Sequence, residues 1–206
     1  MNHHRSTITW CRFDPQSQRV ATVSADRRIK LWDLRAQKTT VAINSNHGNV
    51  VSACCFTGSG RFLCTASWDK TLKLWELQAG GFRSHGGTPL QGGHEGSVSA
   101  CCISAADANL LVSASYDRTV AVWDLSTVSQ TLVLKGHSDW VTDVSLSADR
   151  KLVASSSKVS ILSKCFHSPS RPHLKFLLLK LKNPLFCVIC RLKSPPRYRP
   201  QPPPLS

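Results

Sequence analysis

Acidic residues are missing from the last part of the chain. All 12 Asp and Glu lie at or before Asp149, and the 49 residues from Lys158 to Ser206 carry ten Lys and Arg with no acid. The formal charge of +14 is therefore +10 in that segment and only +4 in residues 1–157. Long apolar runs are missing as well. The longest, Phe176–Cys190, is interrupted by Lys180, Lys182, Asn183 and Pro184, which excludes a membrane-spanning helix there. The opening MNHHRSTITW has no apolar core of a signal peptide, so none is expected. There is no Gly-rich phosphate loop, nucleotide fingerprint, catalytic carboxylate pair or metal-hydrolase motif. These absences weigh against an enzyme. Neither a cofactor, a resident metal nor a small-molecule substrate is expected, and membrane insertion is not expected either.

Cysteine is present but does not form a disulfide pattern. The count is nine, an odd number, and Cys11, Cys54, Cys55, Cys101 and Cys102 sit inside apolar runs. A short secreted scaffold would show an even set at framework spacings. Buried, reduced thiols acting as small hydrophobes are the expected state, and an intracellular setting, cytoplasm or nucleus, is expected with them.

What the chain does have is a repeat. His4, His47, His94 and His137 are spaced 43, 47 and 43 residues apart. Trp32 follows His4 by 28 residues, Trp75 follows His47 by 28 and Trp123 follows His94 by 29. Asp26, Asp69 and Asp117 each stand six residues before the Trp, and Thr22, Thr65 and Ser113 each stand four before the Asp. A fixed period in this range indicates a stacked repeat architecture. Within a unit, short runs rich in Val, Ile, Leu, Phe and Cys alternate with Gly, Ser and Asp turns, which predicts strands. In the second unit the strands are Val50–Phe56, Phe62–Ser67 and Leu72–Leu77. A weaker fourth is expected in each connection, at Thr39–Ile43, near Pro89–Gln91 and at Thr131–Leu134.

The Gly-His or Asn-His start, the Ser-x-Asp turn and the Trp-Asp or Trp-Glu finish, three times in register, resemble the WD-repeat (WD40) family. The resemblance covers Met1–Ser157. It implies a β-propeller with one four-stranded blade per repeat, and a rigid scaffold that holds protein or peptide partners. It also implies a hydrogen-bonded chain across each blade: His4, Thr22, Asp26 and Trp32; His47, Thr65, Asp69 and Trp75; His94, Ser113, Asp117 and Trp123. Recurrence in every unit favours a packing role for these sets over a catalytic His-Ser-Asp triad.

The fourth unit keeps His137 and Ser155 but has Val159 at the Asp position and Cys165 at the Trp position. Two strands, near Val141–Leu146 and Leu152–Ser156, are expected, and the third and fourth are expected to be absent. The break falls at Lys158-Val159-Ser160. An exon ending AAG followed by an intron beginning GTAAGT or GTGAGT encodes Lys-Val-Ser in frame. Residues from Val159 onward are therefore read as translated intron in preference to an evolved basic tail. Nine of the 11 prolines lie in this segment, and disorder is expected for it.

The expected fold class is all-β: an incomplete β-propeller of about three and a half four-stranded WD blades plus a disordered tail. The blades run at about 4–44, 47–91, 94–134 and a partial 137–157, and the basic Pro-rich tail spans 158–206. By position, the top face carries Thr7, Thr9 and Ala25; Val50, Ser52 and Trp68; Ser97, Ser99 and Tyr116; and Trp140 and Thr142. Trp68, Tyr116, Trp140, Ser52 and Ser99 are the candidate protein-binding residues, the aromatics because large surface rings are common binding hot spots.

The expected function is a non-enzymatic interaction scaffold or adaptor for an unidentified protein or peptide. One alternative is a truncated splice or read-through product without independent function. Another is weak, sequence-blind nucleic-acid binding through the tail. Self-association through the open blade edge is a further expectation. Pro195–Ser206 suits a polyproline II helix for an SH3-type groove. Cys187-Val-Ile-Cys190 has half the spacing of a zinc site, and Met1-Asn2-His3 has that of an N-terminal copper chelate, but chance is the better reading of both.

Overall fold

The computed structural model describes residues 3–78, 81–83, 86–104, 109–147 and 152–158 in full, and the backbone of 176–180 and 185–191. Every element in these residues is a strand. The first sheet holds β1 (Ile8–Phe13), β2 (Arg19–Ser24), β3 (Arg28–Asp33) and β4 (Lys38–Asn44) in sequential antiparallel order. The second holds β5 (Val51–Phe56), β6 (Phe62–Ser67), β7 (Leu72–Gln78), β8 (Gly81–Phe82) and β9 (Thr88–Pro89), with β8 and β9 both on the free side of β7. The third holds β10 (Val98–Ile103), β11 (Leu110–Ser115), β12 (Thr119–Asp124) and β13 (Ser129–Lys135). Sequential meanders of this kind are the blades expected from the repeat.

The fourth sheet departs from expectation. Its first strands, β14 (Val141–Leu146) and β15 (Leu152–Lys158), lie where the repeat predicts them. Its third and fourth strands are present and come from the basic segment: β17 (Leu185–Arg191) pairs with β15, and β16 (Phe176–Lys180) pairs with β17. Bare edge groups of β15 attract any apolar run of strand composition, and FLLLK and LFCVICR are such runs. The register puts Cys190 opposite Val153, the place that Trp32 holds opposite Val20 in the first blade. The other residues of the segment, including Val159, Cys165 and Pro195–Ser206, lie outside the described residues, as do Met1 and Asn2.

The blades pack face to face. Ala21, Val23, Ile29 and Leu31 of the first meet Val51, Cys54, Leu63 and Trp75 of the second. Ala53, Cys64, Ala66 and Leu74 of the second meet Val98, Cys101, Leu111 and Trp123 of the third. Ala100, Val112 and Ala114 of the third meet Val141, Val144 and Val153 of the fourth. Small residues on one face and large ones on the next let adjacent twisted sheets approach closely. The longer second-to-third connection contains the two-residue β8, whose Phe82 ring packs edge-on against Trp75 at 5.7 Å. Gly87 crosses the same indole so closely that a Cβ there would stand 2.6 Å from it. Among the described residues no helix is long and apolar enough to cross a membrane.

Candidate functional site

The three complete blades each contain the hydrogen-bonded chain. His4 Nδ1 lies 2.9 Å from Asp26 Oδ2 and its Nε2 lies 2.9 Å from Thr22 Oγ1, which accepts from Trp32 Nε1 at 2.9 Å. His47 joins Asp69 and Thr65 at 2.9 and 3.0 Å, and Trp75 Nε1 donates to Thr65 Oγ1 at 3.0 Å. His94 joins Asp117 and Ser113 at 2.8 Å each, and Trp123 Nε1 donates to Ser113 Oγ at 2.8 Å. The consistent assignment has Nδ1–H donating to the carboxylate and the hydroxyl donating to Nε2. The hydroxyl oxygen then accepts from the indole, so both of its roles are taken. Thr65 and Ser113 are fully buried. A hydroxyl so placed cannot reach a substrate, and the sets act as struts.

The turn that supplies the Asp is built the same way each time. The amides of Asp26, Asp69 and Asp117 donate to the hydroxyl of the serine two residues before, and their carboxylates accept from the amide two residues on. Arg27, Lys70 and Arg118 then take positive φ, at 62°, 77° and 72°. Burial raises the Asp69 carboxyl, but hydrogen bonds from Thr71 and Gly48 and the nearby His47 outweigh it and bring it down to about 2. Burial likewise acts upward on Asp26, and bonds from the Arg5 amide, His4 and the Arg28 amide reverse it. Burial lowers His47, opposed by Asp69.

The fourth blade keeps only half the chain. His137 Nε2 and Ser155 Oγ are 2.7 Å apart, with no carboxylate bonded to the ring's Nδ1 among the described residues. Burial alone lowers His137 to about 4.

A second repeated device, missed in the sequence, joins the blades. The second residue of each innermost strand sits in a bulge: Thr9, Ser52, Ser99 and Thr142. The bulge turns its hydroxyl toward the next blade. Thr9 donates to the Val51 carbonyl, Ser52 to Val98 at 2.6 Å and Ser99 to Val141 at 2.6 Å. Thr142 turns back on its own blade, to the Ser156 carbonyl at 3.3 Å. Ser52 and Ser99, expected on a partner-binding face, thus have their hydroxyls engaged between blades. The signal was a Ser or Thr at one fixed slot in all four units.

The aromatic candidates lie at the same end of these strands, where the Trp68 amide bonds the Val50 carbonyl and the Tyr116 amide bonds the Ser97 carbonyl. Trp68 and Tyr116 each precede a turn Asp. Tyr116 stacks on Trp140 of the next blade, with ring centroids 4.6 Å apart and planes 13° off parallel. The residue in the Trp140 slot beside Trp68 is Ser97, whose hydroxyl bonds the Trp68 carbonyl at 3.1 Å. Ser97 is too small to cover an indole, and Trp68 remains 42% exposed while Trp140 is 50% exposed. No cluster of side chains suited to a metal ion occurs among the described residues. The side chains of Cys187 and Cys190 lie outside them.

The sequence matches the family model described as WD domain, G-beta repeat, at residues 1–33, 38–76, 87–124 and 128–158. The chain belongs to the WD repeat family. The fourth WD match ends at Lys158, where the repeat pattern stops. No curated protein matches the chain. WD repeats typically serve as protein-binding scaffolds, and the buried struts of these WD blades fit a framework that holds surface loops still.

Proposed function

We propose that this WD protein is an interaction scaffold that takes a protein segment or peptide across the exposed rings of Trp68 and the Tyr116–Trp140 stack. The observation that carries the reading is the exposure of two tryptophans on loops that the blade struts fix in place. Rigid aromatic surface gives contact area with little entropy lost on binding. The reading includes a reducing compartment, cytoplasm or nucleus, which the free, buried thiols of Cys54, Cys55, Cys64 and Cys101 support. The test is peptide display against the full chain, followed by hydrogen exchange of the best binder's complex. Protection centred on Trp68, Tyr116 and Trp140 supports the reading. Protection confined to other surfaces overturns it.

A further inference from the structure

The second and third blades share one backbone plan but differ at a slot two residues before the blade tryptophan. Lys73 stands there in the second blade and Ala121 in the third. Lys73 reaches the linker that enters its own blade. Its Nζ donates to the Asn46 carbonyl at 2.6 Å and to the Ser45 carbonyl at 3.2 Å, just ahead of His47. Burial lowers the pKa of this ammonium, and the Asp69 carboxylate opposes the shift. The second blade thus seats a lysine of its own, held by backbone carbonyls and attracted by the turn Asp.

In the third blade the same place is a cleft. Ala121 pairs with Val133, and Thr119 with Lys135, so the four side chains share one face of the sheet. Thr119, Val133 and Lys135 line an opening of about 410 Å³, which Gly93, Glu95 and Asp117 also line. The carbonyls corresponding to those that Lys73 binds belong to Gly92 and Gly93. Neither accepts a hydrogen bond among the described residues. Val133 is 38% exposed and offers an apolar wall to a side-chain stem. The charges fit a cation. Arg118 occupies the turn position that Lys70 holds in the second blade, where it coexists with Lys73, so a cation there does not bar an ammonium from the slot. Glu95 stands where the second blade has Gly48 and adds a carboxylate. Lys135 is exposed, and its long stem lets the charged head turn to water.

We infer that this cleft of the third blade takes a lysine side chain of the bound partner, seated as Lys73 is seated in the second blade. The inference deepens the scaffold reading and rests on it for the partner being a protein segment. Cleft and aromatic rings share their loops: Arg118 is two residues after Tyr116, and Glu95 is two before Ser97, whose hydroxyl bonds the Trp68 carbonyl. The lysine stem lies along Val133, and its ammonium meets the Gly93 carbonyl and the Glu95 carboxylate, a charge-assisted pairing.

The test is display of short random peptides against the full chain. The best binder is resynthesised with each lysine replaced by norleucine, which keeps the stem and removes the charge. One such replacement is expected to weaken binding by about tenfold or more, the worth of a hydrogen bond to a charged group. Ala121→Lys, which refills the slot as Lys73 does, should cost the lysine peptide the same factor. It should leave the norleucine peptide unaffected and a cooperative urea transition in place. Glu95→Lys, at an exposed position, should act in the same direction and serves if Ala121→Lys does not fold. Binders without lysine, equal affinity of the lysine and norleucine peptides, or tighter binding with glutamate at that place would overturn the inference. Trp68→Ala separates it from the aromatic reading. If it weakens neither peptide while the norleucine effect persists, the cleft stands and the aromatic site falls. If it weakens both while norleucine has no effect, the aromatic site stands and the cleft falls.

Discussion

Ser99 Oγ donates to the carbonyl oxygen of Val141 at 2.6 Å, across the boundary between the third and fourth blades. Ser52 makes the same bond to Val98, and Thr9 makes it to Val51. The blades are therefore joined by directed hydrogen bonds as well as by apolar contact. The bond depends on a bulge that the strand period does not announce.

Ser52→Ala and Ser99→Ala should each destabilise the chain by roughly 0.5–1.5 kcal/mol, the net worth of one intramolecular bond. Thr142→Ala should cost less, because among the described residues Thr142 bonds only within its own blade, to the Ser156 carbonyl at 3.3 Å and the Ser156 hydroxyl at 3.0 Å. Urea unfolding of the three variants checks the order.

Ser113→Ala removes one oxygen that serves both His94 and Trp123. Two buried nitrogens lose their partner, so the loss should be about 2–4 kcal/mol. Ser155→Ala removes one bond, to His137, and should cost about half as much. Equal losses would contradict the strut account. Double-mutant cycles with Trp123→Phe measure the coupling.

Stability should fall in two acid steps. His47 and His137 are held neutral, their folded values lowered from 6.5, to about 4 for His137. Groups of this sign stabilise the fold fully above pH 6.5 and lose that contribution as pH falls toward 4. For the half-buried His137 ring this amounts to roughly 2–3 kcal/mol. Asp69, lowered from 3.8 to about 2, stabilises above 3.8 and loses its share between 3.8 and 2. His137→Gln should shrink the first step to the share of His47 and leave the second. Urea midpoints measured from pH 7 to pH 3 check both.

Removing residues 159–206 should bare the edge of Leu152–Lys158, which pairs with Leu185–Arg191. Such an edge promotes intermolecular pairing. The shortened chain is expected to scatter light at concentrations where the full chain does not. A clear, monodisperse solution would show that the edge needs no cover.

Much of this architecture was legible in the sequence because its devices recur. One His, one Thr or Ser, one Asp and one Trp at fixed offsets marked the hydrogen-bonded set of each complete blade. Trp68, Tyr116 and Trp140 fell at loop ends for the same reason. Two things were not legible. The bulges at Ser52 and Ser99 shift pairing by one residue without altering composition, so these hydroxyls read as surface groups. The strand Leu185–Arg191 pairs with β15 and with Phe176–Lys180, and neither has a repeat partner to align with. Their pairing follows from an open edge, which is a property of the folded sheet.

The exposed ring of Trp68 is the centre of the functional account, and one comparison tests it most directly. A peptide selected on the full chain would be titrated by calorimetry into wild type and Trp68→Ala, with urea midpoints measured in parallel. The account predicts a loss of affinity of at least tenfold, about 1.4 kcal/mol, with the midpoint nearly unchanged, since the ring is 42% exposed. Unchanged affinity, or a loss matched by unfolding, would contradict it.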